Sequence, residues 1–196
     1  MNHRTASQHR KTRETDIAIK LDLDGTGACS IDTGIPFMDH MLEIVARHAL
    51  IDLDIKAVGD LEVDYHHTVE DLGLVLGTAI DQALGDRRGI RRYGFSLLPM
   101  DESLARVALD LGGRPFLVYS IADPTPNIRD FNVKLIEEFF RAFVTQARMN
   151  LHIAHLYGAE VHHAYESVFK GLARALRMAV ERDPRETGIP SSKGTI

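Results

Sequence analysis

The hydrophobic period switches back and forth along the chain, and the switches recur in the same order in both halves. In "TDIAIKLDLDG", Ile17, Ile19, Leu21 and Leu23 share one face, which predicts a half-buried strand. "IPFMDHMLEIVARHAL" moves to helical spacing, with Pro36 suited to a first turn. "LIDLDIKAVGDLEVDY" alternates again, and a long helical stretch runs from His66 to about Leu84. The basic, turn-rich "GDRRGIRRYG" reads as a hinge near the middle. Beyond it, "SLARVALDLGGRPFLVYSI" alternates as strands and "IEEFFRAFVTQARM" reads as helix. "NLHIAHLYG" then reads as a short strand, and His162 to Val180 as helix. "RETGIPSSKGTI" has no periodicity and reads as a mobile tail.

Each half therefore runs strand pair, helix, strand, histidine-bearing helix. Tandem duplication explains that order most simply. The expected organisation is a first α/β repeat over 1–90, a second over 91–188, and a flexible tail over 189–196, fused as one unit. The expected fold class is α+β, with helices packed on mostly antiparallel sheets.

Composition narrows the function classes. A net charge of -5 gives no overall basic surface for nucleic acid. The lone Cys29 excludes an internal disulfide and fits a reducing compartment. "MNHRTASQHRKTRETDIAIK" lacks the apolar core of a signal peptide, and no run reaches the roughly 18 apolar residues of a membrane span. A soluble, cytoplasmic protein is expected, with neither nucleic acid nor membrane as partner.

The chemistry gathers in "DYHHTVEDLGLVLGTAI" and "EVHHAYESVFKGLARAL". Histidine and carboxylate at i and i+4 lie on one helix face, so His66 with Glu70, and His162 with Glu166, can each reach one cation. His67 and His163 point about 100° around the helix and need another ion. If the two helices approach by pseudo-twofold symmetry, each lends its second histidine to the other's ion. One site would be His162, Glu166, His67 and His40; the other would be His66, Glu70, His163 and Glu138. Nitrogen donors with carboxylates and no thiolate suit Mn, Fe, Co or Zn rather than Ca or Mg. One HxxxE pair alone reads as a surface feature; its doubling at matching places is what points to a site. His3, His9 and His155 lack such support, and His48 and His152 stand between the two cases.

Arg92 in "IRRYG", Arg114 in "LGGRPF", Lys170, and Ser191, Ser192 and Lys193 in "SSK" are suited to caging a phosphate monoester. Neither a GxxxxGK[ST] loop nor a GxGxxG turn offers a nucleotide cradle. Cys29 sits in a glycine-rich turn without a recognisable base.

Taken together, "RETDI", "GIPFMDHML", "DYHHTVEDLGLVLGTAI", "RRYG" with "PMDE", "LGGRPF", "HHAYESVFKGLARALR" and "IPSSKG" resemble the imidazoleglycerol-phosphate dehydratase family of histidine biosynthesis, over nearly the whole chain. The resemblance implies two fused repeats like domain 2 of ribosomal protein S5. It also implies a Mn-dependent lyase with two Mn2+ per subunit, in a 24-subunit shell whose active sites lie at subunit interfaces. Its substrate would be imidazole-glycerol phosphate, a small phosphorylated imidazole, and its products imidazole-acetol phosphate and water. It assigns metal positions to His40, His66, His67, Glu70, Glu138, His162, His163 and Glu166. All of these but Glu138 count with Glu14 as catalytic. Substrate contacts fall to Glu14, Arg92, Arg114, Lys170, Ser191, Ser192 and Lys193.

Three positions depart from the family's pattern. Glu138 stands where many members have a metal-binding histidine, Ile44 where several place a glutamine, and "GAEVHH" replaces Gly-x-Asn-x-His-His. Two rival classes remain beside the lyase: a metallohydrolase that releases phosphate, and an assembly protein whose ions only staple subunits together.

Overall fold

Ile17, Ile19 and Leu21 are buried along one face of β2 (Thr15–Asp22), as period-2 spacing requires. In a computed structural model, which describes residues 3–122 and 126–196, β2 pairs antiparallel with β1 (Thr5–Lys11) and β4 (Asp52–Gly59). A fourth strand, β3 (Cys29–Asp32), runs parallel to β4. The sheet order is β1-β2-β4-β3. Helix α1 (Pro36–Ala49) connects β3 to β4, and α2 (His66–Leu84) follows β4.

The second half repeats this plan. Strands β5 (Tyr93–Met100), β6 (Ser103–Asp110), β7 (Phe116–Ser120) and β10 (Asn150–Tyr157) form a sheet of order β5-β6-β10-β7. Only the β7–β10 pair is parallel. A small hairpin, β8 (Asn127–Ile128) with β9 (Phe131–Asn132), precedes α3 (Leu135–Ala147). Helix α4 (Val161–Val180) follows β10. The fold is thus α+β, two repeats with helices on mostly antiparallel sheets.

Helix α2 lies on β1 and β2, and α4 on β5 and β6. Across the repeats α1 packs on α4, and α2 on α3. Within one chain the condition that the two histidine-bearing helices approach each other is therefore not met: each packs on the other repeat's first helix. Glycines show why. A Cβ at Gly73 would lie 2.5 Å from the Phe139 carbonyl oxygen, and one at Gly77 2.5 Å from that of Phe143. The bare strip on α2 receives the α3 backbone, and one apolar core runs through both helix layers, including Leu72, Leu76, Phe139, Phe143 and Phe169.

Two strands escape the hydrophobic pattern because they are sheet edges. Only Ala6 of β1 is buried. In β5 the usual polarity is inverted: Gly94 and Ser96 face α4, while Tyr93, Phe95 and Leu97 face outward. Ser96 Oγ donates to the Gly171 carbonyl at 2.9 Å. Cys29 opens β3 rather than lying in a turn. The alternation of "LIDLDIKAVGDLEVDY" ends at Gly59, and the residues beyond it form the loop into α2.

The basic middle segment is a tie rather than a hinge. Buried Arg87 pairs with Asp81 and donates to the carbonyls of Leu111, Ala147 and Arg148, joining the ends of α2, β6 and α3. The last residues form no helix or strand, but Arg92 Nη1 donates to the Pro190 carbonyl at 2.8 Å.

Candidate metal centre

Both histidine pairs sit in the first turn of a long helix, where free backbone N–H groups favour a nearby carboxylate. Asp64 accepts from the His66 N–H at 2.7 Å, and Glu160 from the His163 N–H at 2.7 Å. Glu160 caps α4, whereas Asp64 precedes the α2 N-cap Tyr65 and turns the chain into the helix.

Packing of α1 on α4 brings His40 to His162 and Glu166. Glu166 Oε2 lies 3.0 Å from His162 Nε2 and 3.5 Å from His40 Nε2. The two rings stack with centroids 5.7 Å apart. An ion bonded at about 2.1 Å to each donor needs donor separations of roughly 3.0 to 3.4 Å. The two separations from Glu166 lie at or just beyond that range, and all three donors lie within 4.8 Å of one another, a set of two imidazoles and one carboxylate that suits a divalent transition metal. Burial alone would raise the Glu166 carboxyl, but the Lys170 ammonium and the histidine contacts outweigh it and hold it below the usual range. Lys170 Nζ sits 2.6 Å from Glu166 Oε1.

The matching place in the first repeat is looser. His66 Nε2 lies 3.9 Å from Glu70 Oε2, and Glu138 leans toward Arg141 at 3.7 Å. Among the described residues, His40, His162 and Glu166 form the one cluster with ligand atoms this close together.

His67 and His163 turn away, their rings near right angles to those of His66 and His162. His67 Nδ1 is 3.0 Å from Asp60 Oδ2, and its Nε2 is 3.9 Å from Glu14 Oε1. His163 Nδ1 is 2.8 Å from Glu102 Oε2. The Asp60 and Glu102 hydrogen bonds raise the two imidazoles above the ordinary histidine value, and the same contact lowers Glu102 to about 2. Within one chain, neither second histidine enters the other helix's cluster. Sequence reasoning named neither Asp60 nor Glu102, although "PMDE" contains the latter. It also passed over Phe37, whose ring meets His162 edge-on at 6.0 Å.

The anion-binding candidates divide into two groups. Lys170 stands beside the triad. Arg92 is held by Asp110 at 2.6 and 3.0 Å and by the Pro190 carbonyl, next to the turn of Ser191, Ser192 and Lys193. Arg114 is exposed, its carbonyl accepting from Asn150 at 2.6 Å. The Arg92 N–H donates to the carbonyl of Ala179, roughly 25 Å along α4 from His162 at 1.5 Å per residue. One chain therefore keeps Arg92 far along α4 from the cluster of His40, His162 and Glu166.

Residues 33–176 match the sequence profile described as Imidazoleglycerol-phosphate dehydratase. Relatives of that description from Methylorubrum extorquens and Xanthobacter autotrophicus are 56% and 57% identical. The first match covers 98% of this chain and 100% of the relative, the second 98% of both. The chain belongs to the imidazoleglycerol-phosphate dehydratase family. Solved structures of the family share the fold. The imidazoleglycerol-phosphate dehydratase of Staphylococcus aureus superposes with a TM-score of 0.84 at 35% identity, over 91% of this chain and 99% of that one. The Pyrococcus furiosus structure, in complex with (S)-C348, gives 0.83 at 32%, over 96% and 100%. Family membership supports a lyase of histidine biosynthesis, the class that the resemblance implied.

Proposed function

We propose that this chain removes water from imidazole-glycerol phosphate to give imidazole-acetol phosphate, using two Mn2+ per subunit, in the cytoplasm. The observation that carries the reading is the convergence of His40, His162 and Glu166 from different repeats onto one cation-sized space. His66, Glu70 and Glu138 are the ligand set for the second ion, and His67 and His163 of neighbouring copies complete the two.

Bound Mn2+ supplies a Lewis acid for a ring nitrogen of the substrate. With the ring as electron source, the hydroxyl on the ring-bearing carbon leaves as water, the vicinal C–H is lost as a proton, and the resulting enol becomes the ketone. Glu14, with Oε1 at 3.9 Å from His67 Nε2, is the group placed to orient that hydroxyl or move its proton. Lys170 steadies the Glu166 carboxylate. Arg114, Ser191, Ser192 and Lys193 hold the phosphate, together with the donors Arg92 has left. Because cage and triad are roughly 25 Å apart along α4, a small substrate reaches both only where copies of the chain meet. That separation supports self-association with sites between subunits, as in the 24-subunit shell that the resemblance implies.

The test is to incubate Mn-loaded protein with imidazole-glycerol phosphate and follow the enolisable ketone, with free phosphate assayed in parallel. Ketone that disappears on chelation and returns with Mn2+, without phosphate release, is the expected result. Phosphate release would put a metallohydrolase in its place, and neither product from metal-loaded protein would leave the ions as staples.

A further inference from the structure

We infer that Asp60 and Glu102 are positioning residues of the metal centre: each holds Nδ1 of the second histidine in its pair, so that His67 and His163 can offer only Nε2 to an ion. The inference rests on the proposed reading that these histidines take a metal.

An ionised carboxylate can only accept. The nitrogen facing it therefore carries the hydrogen, and in a neutral imidazole the lone pair lies on the other nitrogen. Asp60 Oδ2 faces His67 Nδ1 at 3.0 Å, and Glu102 Oε2 faces His163 Nδ1 at 2.8 Å. Asp60 is held through its backbone and Glu102 through its carboxylate. The Asp60 N–H donates to the Glu14 carbonyl at 3.0 Å, and Glu102 Oε1 accepts from the Glu160 N–H at 3.0 Å.

The acids on the far side of each ring are too distant to compete. Glu14 lies 3.9 Å from His67 Nε2, while Asp101 and Glu160 lie 3.8 and 4.0 Å from His163 Nε2, all beyond hydrogen-bond length. Nε2 is thus the open nitrogen of both rings. It is also the atom that His40 and His162 turn toward Glu166, and His66 toward Glu70.

The two acids come from different places. Asp60 follows β4 in the first repeat, whereas Glu102 sits in the β5–β6 turn of the second. Unlike segments thus supply the same contact to the same ring atom, which a need for ring orientation explains and shared ancestry of the segment does not. A carboxylate behind a ligating imidazole fixes its tautomer and strengthens it as a donor.

The experiment is calorimetric titration of the metal-free, full-length protein with Mn2+, for the unaltered chain and for Asp60→Ala, Glu102→Ala, Asp60→Asn and Glu102→Gln. Thermal midpoints of each metal-free protein are measured beside it. Each alanine variant is expected to weaken one ion about 10- to 100-fold and to leave the other near its original affinity. The amide variants, which keep an acceptor but lose the charge, should fall in between. Unchanged affinities in all four variants overturn the inference and leave the metal reading intact. So does a parallel weakening of both ions that tracks a lower metal-free midpoint, since that is a general structural effect. An unaltered chain that takes up no Mn2+ overturns both.

Discussion

The backbone N–H of Arg92 donates to the carbonyl of Ala179 at 3.0 Å, which pins Arg92 to the far end of the helix whose first turn carries His162. The proposed sites between copies rest on that distance, and they make complementation measurable. Glu166→Gln removes a proposed metal ligand, and Arg114→Ala a proposed phosphate donor. Each alone should be nearly inactive at low substrate. Co-expressed, they should recover roughly a quarter of wild-type activity, the random share of sites that draw both intact halves. Mixed assemblies no better than either parent would place cage and triad in one chain.

Arg114→Ala on its own should act on binding. The phosphate does not react, so its contacts serve ground and transition state alike, and their loss raises KM with little change in kcat. Steady-state kinetics decide: an unchanged KM would remove Arg114 from the cage.

How much of this was legible in the sequence depends on what each residue contacts. Ile17, Ile19 and Leu21 announce β2 because one face is core and the other solvent. The first-turn histidines were readable because i,i+4 spacing is local. Strand β5 was not readable, since Gly94 must stay small beneath Ala175 and its apolar side chains point outward. The partner of each histidine helix was also hidden: Gly73 and Gly77 mark a close approach without naming α3. Asp60 and Glu102 gained their roles only once folding brought them to the rings.

The α2–α3 junction gives a stability prediction in which two effects oppose. Alanine at Gly73 or Gly77 gains about 1 kcal/mol of helix propensity. The new methyl would nevertheless sit 2.5 Å from a backbone carbonyl oxygen, which cannot rotate aside as a side chain could. Overpacking of this kind costs about 1 to 3 kcal/mol or more, so it wins. A lower melting midpoint is expected for each variant, and an unchanged or raised one would show that α3 shifts freely.

Arg4 and Asp24 make stability depend on acid. Arg4 donates to both Asp24 oxygens and, through Nη1, to the Val180 carbonyl at the end of α4. Its hydrogen bonds lower the Asp24 carboxyl to about 2. A depressed carboxyl stabilises the fold above its unfolded value near 4 and loses that contribution as pH falls through about 2. Asp24→Asn should therefore cost about 1 to 2 kcal/mol at neutral pH, allowing for solvent screening. The gap between the two melting curves should close between pH 4 and 2; a gap independent of pH would exclude the ionic origin.

Glu138 offers the sharpest test of the second ion. The Phe139 backbone lies against Gly73 of α2, and Glu138 precedes it in α3, the helix packed on the one that carries His66 and Glu70. Its present partner is Arg141 at 3.7 Å, an exposed pair worth at most about 1 kcal/mol, and Arg141 also holds Glu137 at 2.7 Å. A cation can therefore draw Glu138 away at small cost. Glu138→Ala should lower the Mn2+ content from two ions toward one. Arg141→Ala removes both the competitor and a nearby positive charge, and should tighten the weaker ion by about two- to fivefold. Glu138→His exchanges an oxygen donor for a nitrogen and should shift that ion's preference from Mn2+ toward Zn2+ or Co2+. Unaltered stoichiometry in Glu138→Ala, measured by metal analysis after gel filtration, would remove Glu138 from the ligand set and leave His66 and Glu70 dependent on a neighbouring copy.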